Sequence, residues 1–142
     1  MDWAATLRQR WRRWRRPRTL GEQGEEVATR FLKRQGYLIL ARGDRGRLGE
    51  IDIVAVDQRT VVFVEVKTRR SHAKGHPADA VDDAKQRRLT MLALQYMKRH
   101  RLLDTARARF DIVAITWPRD RKPTIAHYRN AFEAVGQGQM FH

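Results

Sequence analysis

Apolar positions first recur at helical spacing: Val27, Ala28, Phe31 and Leu32 fall on one side of GEQGEEVATRFLKRQG, and Gly36 closes the segment. The pattern then shortens. YLILAR predicts an apolar strand over residues 37–42, followed by a Gly/Arg-rich turn, GDRGRLG. Residues 50–56 and 61–68, rich in Ile and Val, predict two further strands joined across DQRT. RRSHAKGHPAD is a polar loop with Gly and Pro, and a long helix follows from about Ala80 to Arg99. RFDIVAITW (109–117) is a buried-type strand, and TIAHYRNAF after PRDRKP predicts an edge strand. The order is α-β-β-β-α-β with a last strand. That alternation predicts an α/β domain, a mixed sheet flanked by helices.

The two central strands carry charge where a core pattern would not. Residues two apart in a strand share a face, so Glu65 and Lys67 point one way and Val62, Val64 and Val66 the other. On the preceding strand Glu50, Asp52 and Val54 share a face, and Ile51 and Ile53 share the opposite one. Pairing Asp57 with Thr60, or Val56 with Val61 around a four-residue loop, gives positions that sum to 117. Either way Asp52 stands opposite Glu65, and Glu50 opposite Lys67. Gln58-Arg59 is a poor two-residue turn, which favours the longer loop. Directly opposed carboxylates would repel by roughly 3 kcal/mol at ~5 Å in an effective dielectric of about 20. A divalent cation removes that conflict, and hard oxygen ligands at this spacing suit Mg²⁺ or Mn²⁺. Lys67 beside such an ion could orient the attacking water or neutralise charge on a phosphorane. Glu50 could pair with Lys67 or add a ligand. Acidic residues on the solvent face of a hairpin are also ordinary.

Charge turns the balance toward a polyanionic partner. The 142-residue chain has 30 Lys+Arg against 16 Asp+Glu, a formal charge of +14, with a pI near 11.3. Nucleic acid is the commonest partner of so basic a chain. Arg8, Arg10, Arg12, Arg13, Arg15, Arg16 and Arg18 crowd residues 1–18, with Trp3, Leu7, Trp11 and Trp14 at helical spacing among them. This segment reads as a basic arm that adds affinity for nucleic acid; a membrane-surface anchor and an organelle transit peptide fit it too. The rest of the chain remains basic. Cysteine is absent, which excludes disulfides and Cys-ligated zinc and suits a cytoplasmic location. No apolar run approaches the ~20 residues of a membrane span.

GEIDIV, followed after a short hairpin by VVFVEVKTR, resembles the YraN family of small bacterial proteins. The resemblance extends from about Leu20 to Phe132 through GEEVATRFLKRQGYLILAR, AVDDAKQRRL, RFDIVAI and NAF. That family is similar to the restriction-endonuclease-like superfamily, with Holliday junction resolvases among its nearer relatives. The resemblance implies a restriction-endonuclease-like core of order α-β-β-β-α-β. It places the superfamily's Asp and Glu-x-Lys motif on Asp52, Glu65 and Lys67, and a metal-completing helical Glu on Glu25. The Pro that often precedes the Asp is replaced by Ile51. Glu25 borders the apolar arc of its helix, whereas Glu22 and Glu26 lie outside; the helix dipole alone would also favour a carboxylate there.

Lys85 falls on the inward arc of its helix with Val81, Leu89, Leu92 and Tyr96, where it could snorkel or hold a phosphate. The shared Lys-Gln of the resemblance favours the phosphate and gives Gln86 a supporting role. Arg42, Arg45 and Arg47 near the hairpin, and Arg69, Arg70 and Lys74 in the following loop, are expected nucleic-acid contacts. His72 and His76 sit in a Gly/Pro loop, a poor zinc pair, and Asp111 reads as structural.

Three regions follow: a basic arm over 1–18, a nuclease domain over 19–132 and a tail over 133–142. The expected function is a Mg²⁺- or Mn²⁺-dependent endonuclease acting on DNA, branched or flapped DNA included. The alternatives are a non-catalytic nucleic-acid-binding protein with a nuclease fold, and a membrane-peripheral role through the arm. Resolvase-like cutting would require a homodimer.

Overall fold

The Thr19 hydroxyl accepts the Glu22 N–H at 3.1 Å and starts α1, Leu20–Arg34, satisfying one of the helix's orphan donors. The computed structural model describes residues 17–73 and 75–136, together with Ala4. The Trp3, Leu7, Trp11 and Trp14 stripe, Lys74 and residues 137–142 lie outside the described residues. After α1 come β1 (Leu38–Gly46), β2 (Gly49–Asp57) and β3 (Thr60–Arg69), each antiparallel to the one before. A 3₁₀ turn, Pro77–Ala80, leads into α2, Asp83–Arg99. β4 (Arg107–Thr116) runs parallel to β3, and β5 (Thr124–Phe132) pairs antiparallel with β4. The five strands lie in chain order in one mixed sheet, an α/β arrangement consistent with the core that the resemblance implies.

Each face of the sheet carries its own core. Ile51, Val54, Val61, Phe63, Phe110 and Ile112 pack with Leu89, Leu92, Tyr96 and Met97 of α2. Ile53, Ala55, Val62, Val64, Val113 and Ile115 pack with Ala28 and Leu32 of α1. β3 is therefore buried on both sides, which is why TVVFV shows no polar alternation. Asp111 is fully buried on the α1 side. It accepts from Arg109 and from the Asn130 N–H at 3.0 Å each, and meets His127 Nε2 at 2.8 Å. Arg109 also reaches Asp57 and the Tyr37 hydroxyl. This network lowers the Asp111 pKa against the opposing pull of its burial, and gives Asp111 the structural role expected of it.

Four sequence expectations change in detail. β1 extends through Gly46, so most of GDRGRLG is strand and only Arg47 and Leu48 form the turn between the paired Gly46 and Gly49. The β2–β3 hairpin closes on two residues, since Asp57 pairs with Thr60 and Gln58 takes the left-handed conformation, φ +57°. Asp82, whose side chain accepts the Lys85 N–H at 2.8 Å, delays the start of α2 to Asp83. The last change is in the face assignment of β2: Ile51 packs with Val54, on the opposite side from Ile53. Two-residue alternation fails between Ile51 and Ile53, so the strand turns about its own axis at Asp52.

Gly24 sets how closely α1 approaches β3. A Cβ there would stand 1.8 Å from Thr68 Oγ1 and 2.9 Å from Thr68 Cβ, and the buried Thr68 hydroxyl has no hydrogen-bond partner among the described residues. Gly24→Ala should lift the helix from the sheet and cost about 1–3 kcal/mol despite alanine's better helix propensity. A lowered urea midpoint with unchanged slope would show it; an unchanged midpoint would refute the close contact.

Candidate functional site

The β2–β3 ladder keeps the predicted sum of 117 from Asp57–Thr60 through Ile53–Val64. It stops one pair short of Asp52–Glu65. There the Asp52 carboxylate takes the place of a backbone partner: its Oδ2 accepts the Val66 N–H at 2.9 Å. Backbone pairing thus ends before Asp52–Glu65 and Glu50–Lys67, and the two strands are joined there through the Asp52 side chain instead.

Glu50 and Asp52 of β2 and Glu25 of α1 bring carboxylate oxygens within 4.8 Å of one another. The close approach of α1 at Gly24 puts Glu25, the next residue, over the sheet. Burial pushes the Asp52 pKa up to about 8, aided by the charges of Glu65 and Glu25 and opposed by the Val66 N–H and Lys85. Glu25 is also raised, first by burial and then by Glu50. Neither shift belongs to solvated carboxylates on a hairpin face. Three oxygen donors so close, on two elements, fit a hard divalent ion whose remaining positions are taken by water or a phosphate oxygen.

Glu65 lies outside this trio. Its Oε1 is in close contact with Lys85 Nζ, in a pair more shielded on the Glu65 side (11% exposed) than on the Lys85 side (30%). Lys85 thus reaches the site as expected, but its partner here is Glu65. Lys67, exposed and two residues further along β3, lines a cleft of about 530 Å³ with Leu20, Arg69, Arg70 and Ser71. Gln86 Nε2 donates to the Val81 carbonyl at 3.0 Å, a bond that braces the start of α2.

The expected basic contacts divide by what they touch. Arg42 pairs with Glu26 at 3.0 Å, which holds the Glu26 pKa low and ties β1 to α1. Arg45 pairs with Glu50 at 3.0 Å while remaining mostly exposed. Arg47 is exposed at the hairpin tip. Arg69 Nη1 donates to the Gly75 carbonyl and Arg70 Nη1 to the Trp117 carbonyl. His76 caps the 3₁₀ turn through Nδ1, so it braces the loop. Arg121 and Lys122, passed over as part of a connector, line a second cleft of about 470 Å³ beyond Arg70. Their place beside Arg70 depends on where the β4–β5 connection folds, and local sequence carries no signal of that.

A family model described as "Uncharacterised protein family UPF0102" matches residues 24–115, a span that holds Glu25, Glu50, Asp52, Glu65, Lys67 and Lys85. A UPF0102 protein of Rhodopirellula baltica is 47% identical over 126 residues, covering 86% of this chain and 75% of its own. One of Geobacter metallireducens is 49% identical over 116 residues, 82% of this chain and 93% of its own. One of Geotalea uraniireducens is 47% identical over 116 residues, 82% and 91% respectively. With matches this long around every candidate residue of the site, the chain belongs to the UPF0102 family, the YraN family that its motifs resemble.

Proposed function

We propose that this chain is a metal-dependent endonuclease that hydrolyses phosphodiester bonds in DNA, branched or flapped DNA included, with Mg²⁺ or Mn²⁺ as its ion. One observation carries the reading. Glu25, Glu50 and Asp52 crowd together, and Asp52 is pushed up to about 8 by burial among carboxylates. That arrangement opposes ionisation in the bare protein and favours it around a cation. Bound there, the ion would supply a Lewis acid and a more acidic water.

The side chains have separate tasks. Glu25, Glu50 and Asp52 hold the ion, and the Val66 N–H fixes the direction of Asp52. Lys85 orients the Glu65 carboxylate beside them, where it can align water. Lys67, at the mouth of the neighbouring cleft, provides the cation that meets a phosphate. Such a site cuts one strand, so cutting two strands of a junction would need a homodimer.

The test is a cleavage screen over linear, single-stranded, flapped and four-way DNA with Mg²⁺ or Mn²⁺. At least one structure should be cut, and EDTA should stop the reaction. Salt-sensitive binding with no cleavage under either ion would overturn the enzymatic reading and leave a nucleic-acid-binding protein with a nuclease fold.

A further inference from the structure

The carboxyl end of β3 opens onto two clefts, and the carboxyl end of the parallel β4 onto the second of them. The first is lined by Lys67, Arg69, Arg70 and Ser71 along the end of β3. The second is lined by Arg70, Ser71, His72, Pro118, Arg121 and Lys122. Arg70 and Ser71 belong to both, so the clefts adjoin. Arg70 is pinned in place by its 3.1 Å bond to the Trp117 carbonyl. Along this path Lys67, Arg69, Arg70, Arg121 and Lys122 face only Asp79 and Asp120 among the acidic residues lining it.

We propose that the two clefts form one trough that binds a single-stranded nucleic-acid flank leading away from the candidate metal centre. The direction of the strand rests on the nuclease reading; the trough itself does not. Three features select this occupant. The excess of cations requires a polyanion. Volumes of about 530 and 470 Å³ match pockets that take a drug-sized ligand, hence roughly one or two nucleotides each. Leu20, Ala80 and Pro118 give apolar wall between the cations, which suits sugars and base faces in a groove that tracks one backbone. An acidic peptide would also meet the charge. Its disadvantage is position: the trough begins at Lys67, two residues along β3 from Glu65.

The experiment is fluorescence anisotropy of a labelled oligo-dT strand with the full chain, in EDTA, over a salt series. Single strands lose affinity with a slope near 0.7 decade per decade of salt for each phosphate contact. Arg121→Ala with Lys122→Ala should therefore lower the slope by about 1.4 and weaken binding about 25-fold at 0.1 M salt. Lys98 and Arg107 are exposed near the opposite end of β4, and replacing that pair by alanine should leave most of the slope. Melting curves establish that each variant is folded, and Arg121→Lys with Lys122→Arg should restore binding.

The proposal is overturned if both alanine pairs lose the same slope, since diffuse charge would then suffice. It is also overturned if the trough pair binds oligo-dT like wild type, if duplex is held more tightly than single strand, or if an acidic peptide displaces oligo-dT more effectively than DNA does. Asp52→Ala should bind oligo-dT normally. Trough-dependent binding by a wild-type chain that cuts nothing would sink the nuclease reading and sustain the trough. Metal-dependent cleavage without trough-dependent binding would do the reverse.

Discussion

Asp52→Ala should lower the proposed metal-dependent cleavage by about 10³-fold or more, equivalent to roughly 4 kcal/mol of transition-state stabilisation, while leaving the chain folded. The size follows from the position of the carboxylate. Asp52 is the member of the acidic trio placed between β2 and β3, anchored by the Val66 N–H, so solvent cannot substitute for it without the strands moving. Glu50→Ala should be milder, because Glu50 is about one-third exposed and already shared with Arg45. Single-turnover rates on the best substrate of the screen measure both. Equal cleavage by Asp52→Ala and wild type would dismiss the metal centre, whatever the fold.

Why could the fold be read so far in advance, and the site only partly? Secondary structure came through because the chain's local signals agree: apolar residues recur at helical spacing before Gly36, and Ile/Val runs bounded by polar turns mark the strands, while the cap at Asp82 and the tight Gly46–Gly49 turn shift only the boundaries. Even the register of β2 on β3 was available, because the sum of 117 is insensitive to loop length. The ladder ends one pair before Asp52–Glu65, and for a tertiary reason. Ile51 leaves the α1-side core for the α2-side core, drawn to Leu92 and its neighbours, and no two-residue pattern can announce that twist. The carboxylates group accordingly. Glu25, Glu50 and Asp52 crowd together, while Glu65 pairs with Lys85. Sequence named all of these residues but could not partner them, since α1, β2, β3 and α2 meet only when the sheet is assembled.

Gly24 shows the limit from another side. Its glycine sits in the interior of a helix, where it costs helix propensity, and the reason appears only when Thr68 is set against it. Arg121 and Lys122 show it again: basic residues in a connector are common, and their meaning comes from the Arg70 side chain bonded to the Trp117 carbonyl.

Metal-free protein should lose about 3 kcal/mol of stability between pH 5 and pH 8, and Asp52→Asn should abolish most of that loss. The unfolded chain ionises Asp52 near its ordinary value of 3.8, whereas the folded chain keeps the proton until about 8. In that window the native state binds more protons than the unfolded state, so stability falls as pH rises and levels off above 8. A raised acid therefore has the opposite sign to Glu26 and Asp111, whose lowered values support the fold throughout this window and lose that support only at more acid pH. Urea unfolding at pH 5 and pH 8, with and without Mg²⁺ or Mn²⁺, separates the contributions. Asp52→Asn should already exceed wild type somewhat at pH 5, because the unfolded Asp52 is ionised above 3.8, and exceed it by clearly more at pH 8. A divalent ion should restore the wild type at pH 8, by mass action on the folded state, and do little for the variant. If wild type and variant lose stability in parallel, burial of Asp52 is not what opposes its ionisation. The gain in stability and the loss of cleavage would then have separate causes, where the geometry of Glu25, Glu50 and Asp52 gives them one.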